Sequence, residues 1–132
     1  MRVFIDTSAF FAILDAGDEN YQKARQIWVD LLRRETVLVC SNYVLVEAFA
    51  LMQHRLGIQA IRTFQEDIVP TLTIAWVDES CHGAGTSNVL TAGTRNLSLV
   101  DCVSFELMRR LGITTAFTFD HHFKEQGFEC MP

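Results

Sequence analysis

The chain predicts an α/β fold, a three-layer α/β/α sandwich around a central, mostly parallel sheet of four or five strands. Two observations carry this. Short, continuously apolar, β-branched runs such as residues 37–40 (V-L-V-C) are strand signals of the kind found where both faces of a sheet are covered. They alternate with longer segments of helical periodicity, the pattern of parallel strands joined by helical crossovers.

Residues 2–5 (R-V-F-I) read as a strand ending at Asp6, and Thr7 and Ser8 lead into an apolar helical turn over 9–14. Ala16, Gly17 and Asp18 break the chain. From 19 to 34, Tyr21, Ala24, Ile27, Trp28, Leu31 and Leu32 recur at helical spacing with Lys23, Arg25, Asp30 and Arg33 between them, an amphipathic helix. After the strand at 37–40, Ser41 can cap a helix that runs to about Leu56, before Gly57. A helix is expected over 58–67, and Pro70 separates it from a strand over 71–77. Residues 78–96 are the least legible, because Gly83, Gly85, Gly93 and several Ser and Thr residues weaken the helix expected there, whose buried stripe would be Val89, Leu90 and Leu97. Residues 98–111 form a helix closed by Gly112, 113–118 a strand, Asp120 onward a short helix or loop, and 128–131 a last strand.

A length of 132 residues, 49% of them apolar, without internal repeats, fits one domain over 1–132, since domains run from about 50 to 250 residues. No apolar run approaches the roughly 20 residues of a membrane span, and Asp6 interrupts the opening where a secretory leader is apolar, so a soluble, cytoplasmic protein is expected. Cys40, Cys81, Cys102 and Cys130 lack C-x-x-C or zinc-type spacing and read as reduced thiols, mostly core filler. A net charge of −5 argues at first against a nucleic-acid partner. Acids that hold divalent cations reverse the inference, because the bound ion supplies positive potential where phosphate arrives.

The topology carries four such acids to one place. Asp6 and Asp120 follow the carboxyl ends of two strands, Glu47 sits in the second turn of the helix leaving the 37–40 strand, and Asp101 sits in the first turn of the helix that returns toward the next strand. All four therefore fall at the carboxyl edge of the sheet, where ligands bind in such folds. Each has a plainer reading: Asp6 and Asp120 as N-caps, and Ser98 to Asp101 as a capping box. Glu47 resists one, because its helical neighbours Tyr43, Val44, Ala50 and Leu51 are apolar and none of the nearby helical positions supplies a basic partner. Gathered carboxylates repel unless a cation holds them, and hard oxygen donors suit Mg²⁺ or Mn²⁺ rather than zinc. The chemistry expected is phosphodiester hydrolysis by metal-activated water, with no side-chain nucleophile.

At these residues the sequence resembles the PIN domain family, and within it the VapC-type toxin ribonucleases of toxin–antitoxin pairs. The matching stretches are 3–14 (V-F-I-D-T-S-A-F-F-A-I-L), 41–47 (S-N-Y-V-L-V-E), 97–105 (L-S-L-V-D-C-V-S-F) and 115–123 (T-A-F-T-F-D-H-H-F). The resemblance implies that Asp6, Glu47 and Asp101 are the main catalytic and metal-site acids, with Asp120 as a more variable fourth. It also implies that Thr7, Ser8 and Thr118 supply hydroxyls that support the acids or water, although turn and cap roles explain them equally. A cognate antitoxin, a homodimer and an RNA substrate are implied as partners. The stretch from Gly83 to Gly93 departs from the family, whose members commonly have a firmer helix there.

Arg95, His121, His122 and Lys124 could meet a substrate phosphate at the rim, with solvated surface charge as the default reading. His54 and His82 have no usable partner spacing. Phe10, Phe11, Ile13 and Leu14 give the first helix more apolar surface than packing on one sheet needs. Core packing is the default for them, and in toxin-like relatives such surface serves the homodimer and the antitoxin groove. A housekeeping RNA-processing nuclease, and a PIN-like RNA-binding scaffold that no longer cleaves, stand as alternatives, the latter opposed by retention of all four acids.

Overall fold

The computed structural model describes residues 1–132. Its sheet has five strands, β1 (Arg2–Ile5), β2 (Val37–Ser41), β3 (Thr73–Ala75), β4 (Thr115–Phe117) and β5 (Glu129–Met131), in the order β3-β2-β1-β4-β5. Every pair is parallel, with Phe4 opposite Val39 on one side and Ala116 on the other. The chain moves from β1 outward to β3, then crosses back to β4 and continues outward to β5. The sheet thus reverses direction between β1 and β4, a topological switch point where a crevice opens at the carboxyl ends.

Seven helices make the crossovers: α1 (Thr7–Leu14), α2 (Tyr21–Arg33), α3 (Asn42–Arg55), α4 (Ile58–Thr63), α5 (Glu79–Ala92), α6 (Leu99–Leu111) and α7 (His122–Glu125). Right-handed crossovers place α1 to α4 on one face and α5 to α7 on the other. The packing agrees: Phe10 of α1 meets Phe64, just after α4, edge to face, whereas Phe105 of α6 meets Phe123 of α7 and Phe128 on the opposite side. Between the layers Val3, Phe4 and Ile5 are fully buried.

Three expected strands are shorter than their apolar runs. The 71–77 run pairs only over Thr73–Ala75, its start being taken up by a 3₁₀ turn over Val69–Thr71 that holds Pro70 in its first turn. The runs at 113–118 and 128–131 are trimmed to the three residues that face one another in register. The expected 58–67 helix is α4 followed by a π-helical turn over Phe64–Ile68.

The glycine-rich segment is a regular fourteen-residue helix, α5. Asp78 caps it by accepting the Cys81 N–H at 2.8 Å, and Gly93 ends it in the left-handed region at φ 64°. Gly85 is required by packing, since a Cβ there would lie 2.4 Å from Val103 Cγ2 of α6. Composition weakened the helix signal because one of its glycines exists to let two helices approach.

The aromatic residues of α1 are core. Phe10 and Ile13 are buried, and Phe11 and Leu14 are partly buried against the same cluster, because α1 lies between the sheet, α2 and α3 rather than on an outer surface. Exposed apolar side chains lie instead along α3, at Val46 and Phe49, and at Ile58, Trp76 and Leu90, so Leu90 does not belong to the buried stripe expected for the 78–96 helix. All four cysteines are free thiols, and Cys40, Cys81 and Cys102 are buried. No helix is long and apolar enough to cross a membrane.

Candidate active site

Asp6 leaves β1 directly into α1 and is its N-cap, with Oδ2 accepting the Ser8 N–H at 3.4 Å and the Ser8 hydroxyl at 2.8 Å. The adjacent strand β4 delivers Thr118, whose hydroxyl donates to the same Oδ2 at 3.1 Å. The oxygens of both hydroxyls are also used: Thr118 Oγ1 accepts the Asp120 N–H at 2.9 Å and Ser8 Oγ accepts the Phe119 N–H at 2.9 Å. Each hydroxyl has one proton and spends it on Asp6, so the 3.3 Å approach of Ser8 Oγ to Thr118 Oγ1 is a contact within this lattice. The ends of β1 and β4 are thereby locked at the switch point.

Ser41 caps α3 by accepting the Val44 N–H at 3.1 Å, which sets Glu47 in the second turn, half-buried. Asp101 completes a capping box on α6: its backbone N–H reaches the Ser98 hydroxyl at 3.1 Å and its Oδ2 accepts the Ser98 N–H at 3.2 Å. Asp120 Oδ1 accepts the His122 N–H at 3.0 Å. The capping roles read from the sequence are therefore present for Asp6 and Asp101, and for Asp120 in the form of a turn ahead of α7. They coexist with the convergence of the acids, because a cap at the first turn of a crossover helix is by construction at the carboxyl edge.

The electrostatics tie the four together. Asp6 is 4% exposed, and burial raises its pKa to about 6 against the opposing Ser8 hydroxyl, with repulsion from Asp101 and Asp120 adding to the rise. Burial also raises Glu47, opposed by the Thr7 hydroxyl and reinforced by Asp6 and Asp120. Asp101 is raised by burial against its Ser98 hydrogen bond, with Asp120 and Glu47 repelling it. No Lys or Arg lies within ion-pair distance of any of the four, the arginine pairs being made to Asp30, Glu66, Asp78 and Glu106. Thr7 Oγ1 is buried without a well-aligned hydrogen bond, although it lies near enough to Glu47 to favour the charged carboxylate.

Mutually repelling, partly desolvated carboxylates with no Lys or Arg counter-ion are a donor set that fits a hard divalent cation. They do not form a closed cage: the group of three side chains whose ligand atoms lie within 4.8 Å of one another is Asp120, His121 and His122. An open set of acids suits Mg²⁺, which keeps several waters and takes phosphate oxygens as further ligands.

The residues expected at the rim are exposed. His121 and Lys124 flank the Asp120 turn, and Arg95 stands on the loop between α5 and α6 with no ion pair. His122 has a closer role than surface charge: it is 18% exposed, with Nδ1 2.8 Å from Asp120 Oδ1. An apolar hollow of about 320 Å³ adjoins Glu47, lined by Asn42, Tyr43, Val46, Glu47 and Val100. The Tyr43 hydroxyl is hydrogen-bonded to His82 Nδ1, and Asn42 Oδ1 accepts the Val77 N–H at 2.8 Å. Helical spacing places Tyr43 one turn before Glu47 and could have identified it. The partnership with His82 crosses two crossovers and has no local signal.

An all-parallel sheet with acids at the switch point and no Lys or Arg paired to them defines a class of acidic-site α/β proteins, and comparison places the chain within it. Residues 3–129 match the PIN domain, and the chain belongs to the PIN domain family. It is 29% identical over 127 residues to the 23S rRNA-specific endonuclease VapC20 of Mycobacterium tuberculosis, covering 96% of this chain and 95% of that one. The crystal structure of VapC20, described as a sarcin–ricin loop cleaving toxin, superposes with a TM-score of 0.83 at 28% identity, again over 96% of this chain and 95% of that one. FitAcB from Neisseria gonorrhoeae shares the fold at a TM-score of 0.71 and 17% identity, covering 100% of this chain and 97% of that one. VapBC2 from Rickettsia felis does so at 0.70 and 15%, covering 98% and 97%.

Proposed function

We propose that the chain is a metal-dependent endoribonuclease, the toxin of a toxin–antitoxin pair, and acts in the cytoplasm on a structured RNA. The observation that carries this is the set of four carboxylates, Asp6, Glu47, Asp101 and Asp120, sharing one field at the β1/β4 switch point with no Lys or Arg to neutralise them. Similarity to VapC20, whose substrate is 23S rRNA, supports RNA as the substrate class and the toxin assignment.

In this reading Asp6, Glu47, Asp101 and Asp120 hold Mg²⁺, with Mn²⁺ as a substitute. A divalent cation bound there supplies an activated water and neutralises charge on the phosphodiester. The chain's own groups do the rest. Ser8 and Thr118 fix the Asp6 carboxylate through two donated hydrogen bonds, so it is oriented before anything binds. Thr7 faces Glu47 and favours its charged form. The hollow beside Glu47 offers the Tyr43 ring and two valines to an unstacked base, the way single-stranded RNA is commonly gripped. Lys124 and Arg95 are the cations available to flanking phosphates, with His121 as a further rim side chain that can contact them. The exposed apolar face of α3 at Val46 and Phe49 is the surface proposed for a protein partner, an antitoxin or a second copy in a homodimer.

The test compares the wild type with Asp6→Asn and Asp101→Asn on a panel of structured RNAs that includes a sarcin–ricin loop, with Mg²⁺ and with chelator. Wild-type cleavage abolished by chelator and by either substitution is expected. Equal cleavage by all three proteins, or cleavage indifferent to chelator, overturns the reading. An antitoxin-like reading frame directly upstream supports the toxin assignment over a housekeeping RNA-processing nuclease.

A further inference from the structure

We infer that the Asp120-His121-His122 turn is a second, softer metal site, selective for a borderline transition ion such as Zn²⁺ and sharing Asp120 with the acidic centre. The ligand atoms of the three side chains lie within 4.8 Å of one another. Asp120 Oδ1 is 2.8 Å from His122 Nδ1 and 3.9 Å from His121 Nδ1. Tetrahedral zinc with bonds of about 2.0 to 2.1 Å separates neighbouring donors by roughly 3.3 Å, so these two distances bracket the required spacing. The two imidazole rings lie side by side, centroids 4.2 Å apart and 33° between their planes.

A second observation points to a ligand. His122 Nδ1 is buried and, despite its proximity to Asp120, makes no aligned hydrogen bond. A buried nitrogen in that condition is costly, and a metal ion between imidazole and carboxylate removes the cost. The donor chemistry differs from that of the four acids: two imidazoles and one carboxylate favour zinc, nickel or copper over magnesium. His121 is 74% exposed, its Nε2 held only by an exposed 3.7 Å contact with Glu125 Oε1, while His122 is fixed by its ring contact with His121 and its backbone N–H to Asp120.

The sharing of Asp120 has a consequence. Its Oδ1 takes the His122 N–H and faces both imidazoles, which leaves Oδ2 for the acidic centre. A transition ion on the turn therefore binds a carboxylate that the proposed hydrolytic centre also uses, through its other oxygen. The site itself does not require that the chain cleave RNA.

The test is titration of the purified chain with Co²⁺ in excess Mg²⁺, followed by visible absorption, with Zn²⁺ displacement read by calorimetry. One equivalent is expected to bind with a visible spectrum carrying imidazole ligation. His121→Ala and His122→Ala should each weaken binding by at least about tenfold, the lower end of the effect of removing even an outer partner of a metal ligand. Asp6→Asn should retain it, which separates this site from the acidic centre. His121 is exposed, so its variant tests the site without disturbing the fold. Absence of Co²⁺ binding in the wild type, or equal binding in the wild type and both histidine variants, overturns the inference, as does loss in Asp6→Asn with retention in the histidine variants.

Discussion

Thr118 and Asp6, 112 positions apart, meet at 3.1 Å across the β1/β4 switch point, and the same Thr118 oxygen holds the backbone N–H of Asp120 at 2.9 Å. One hydroxyl thus orders two of the four acids. Thr118→Val should remove a donor from Asp6 and leave a largely buried Asp120 N–H without its acceptor, a loss of about 1 to 3 kcal/mol. Thr118→Ser should recover most of it. Thermal unfolding of the three proteins measures this, and a valine variant as stable as wild type would show that the hydroxyl orders nothing.

Asp6→Asn should abolish cleavage yet stabilise the metal-free chain. Asn keeps an oxygen that can accept from Ser8 and Thr118, and removes a buried negative charge that Asp101 and Asp120 repel. The gain is on the order of 1 to 3 kcal/mol at neutral pH, visible as an upward shift of a few degrees in Tm. A variant less stable than wild type without metal contradicts the electrostatic account.

The pH dependence has a definite sign. With its pKa raised from 3.8 to about 6, folded Asp6 binds more protons than unfolded Asp6 between those values, so metal-free stability falls as pH rises through that window. The shift corresponds to roughly 3 kcal/mol at full ionisation, and the raised Glu47 and Asp101 act in the same direction. Divalent-metal affinity runs the opposite way and should increase up to about pH 6 and above, as the carboxylates ionise. Denaturant unfolding at several pH values, with and without Mg²⁺, checks both slopes.

Two glycines of one helix should respond oppositely to alanine. Gly85→Ala drives a Cβ into Val103 and should destabilise by about 1 to 3 kcal/mol. Gly83, with open space around its Cβ position, should gain about 0.5 to 1 kcal/mol. Chemical denaturation of the two variants distinguishes packing from composition as the reason for glycine in α5.

Tyr43→Ala should weaken RNA binding more than it slows turnover, because the ring lines the hollow beside Glu47 and is not among the acids. Loss of a stacking partner corresponds to about 1 to 3 kcal/mol, read as a rise in KM at nearly constant kcat. A fall in kcat alone would assign Tyr43 to positioning Glu47.

Much of this was legible in the sequence. Asp6 and Asp120 could be placed because each follows a short apolar run, and parallel strands put such residues on one edge. Glu47 announced itself as a carboxylate on an apolar helix face without a basic neighbour, and it is indeed unpaired. The same capping motifs that offered plain explanations for Asp6 and Asp101 turned out to be the devices that hold them at the edge. What the sequence hid depends on contacts between distant segments. Gly85 read as a helix breaker because its reason, Val103, is on another helix. Phe11 and Leu14 were expected to pack in the core, but the surplus of apolar surface on α1 had no visible reason in the sequence, because α2 and α3, which enclose α1, are separate segments. His122 read as surface charge, since its place against Asp120 is set by the turn geometry rather than by spacing.

The most direct measurement is the titration of the Asp6 side-chain carboxyl carbon by NMR, in the wild type, without and with saturating Mg²⁺. The account predicts a pKa near 6 in the metal-free chain and a large fall when Mg²⁺ is added, because a cation relieves both the burial penalty and the repulsion from Asp101 and Asp120. An Asp6 that titrates near the ordinary aspartate value and does not respond to Mg²⁺ would contradict it.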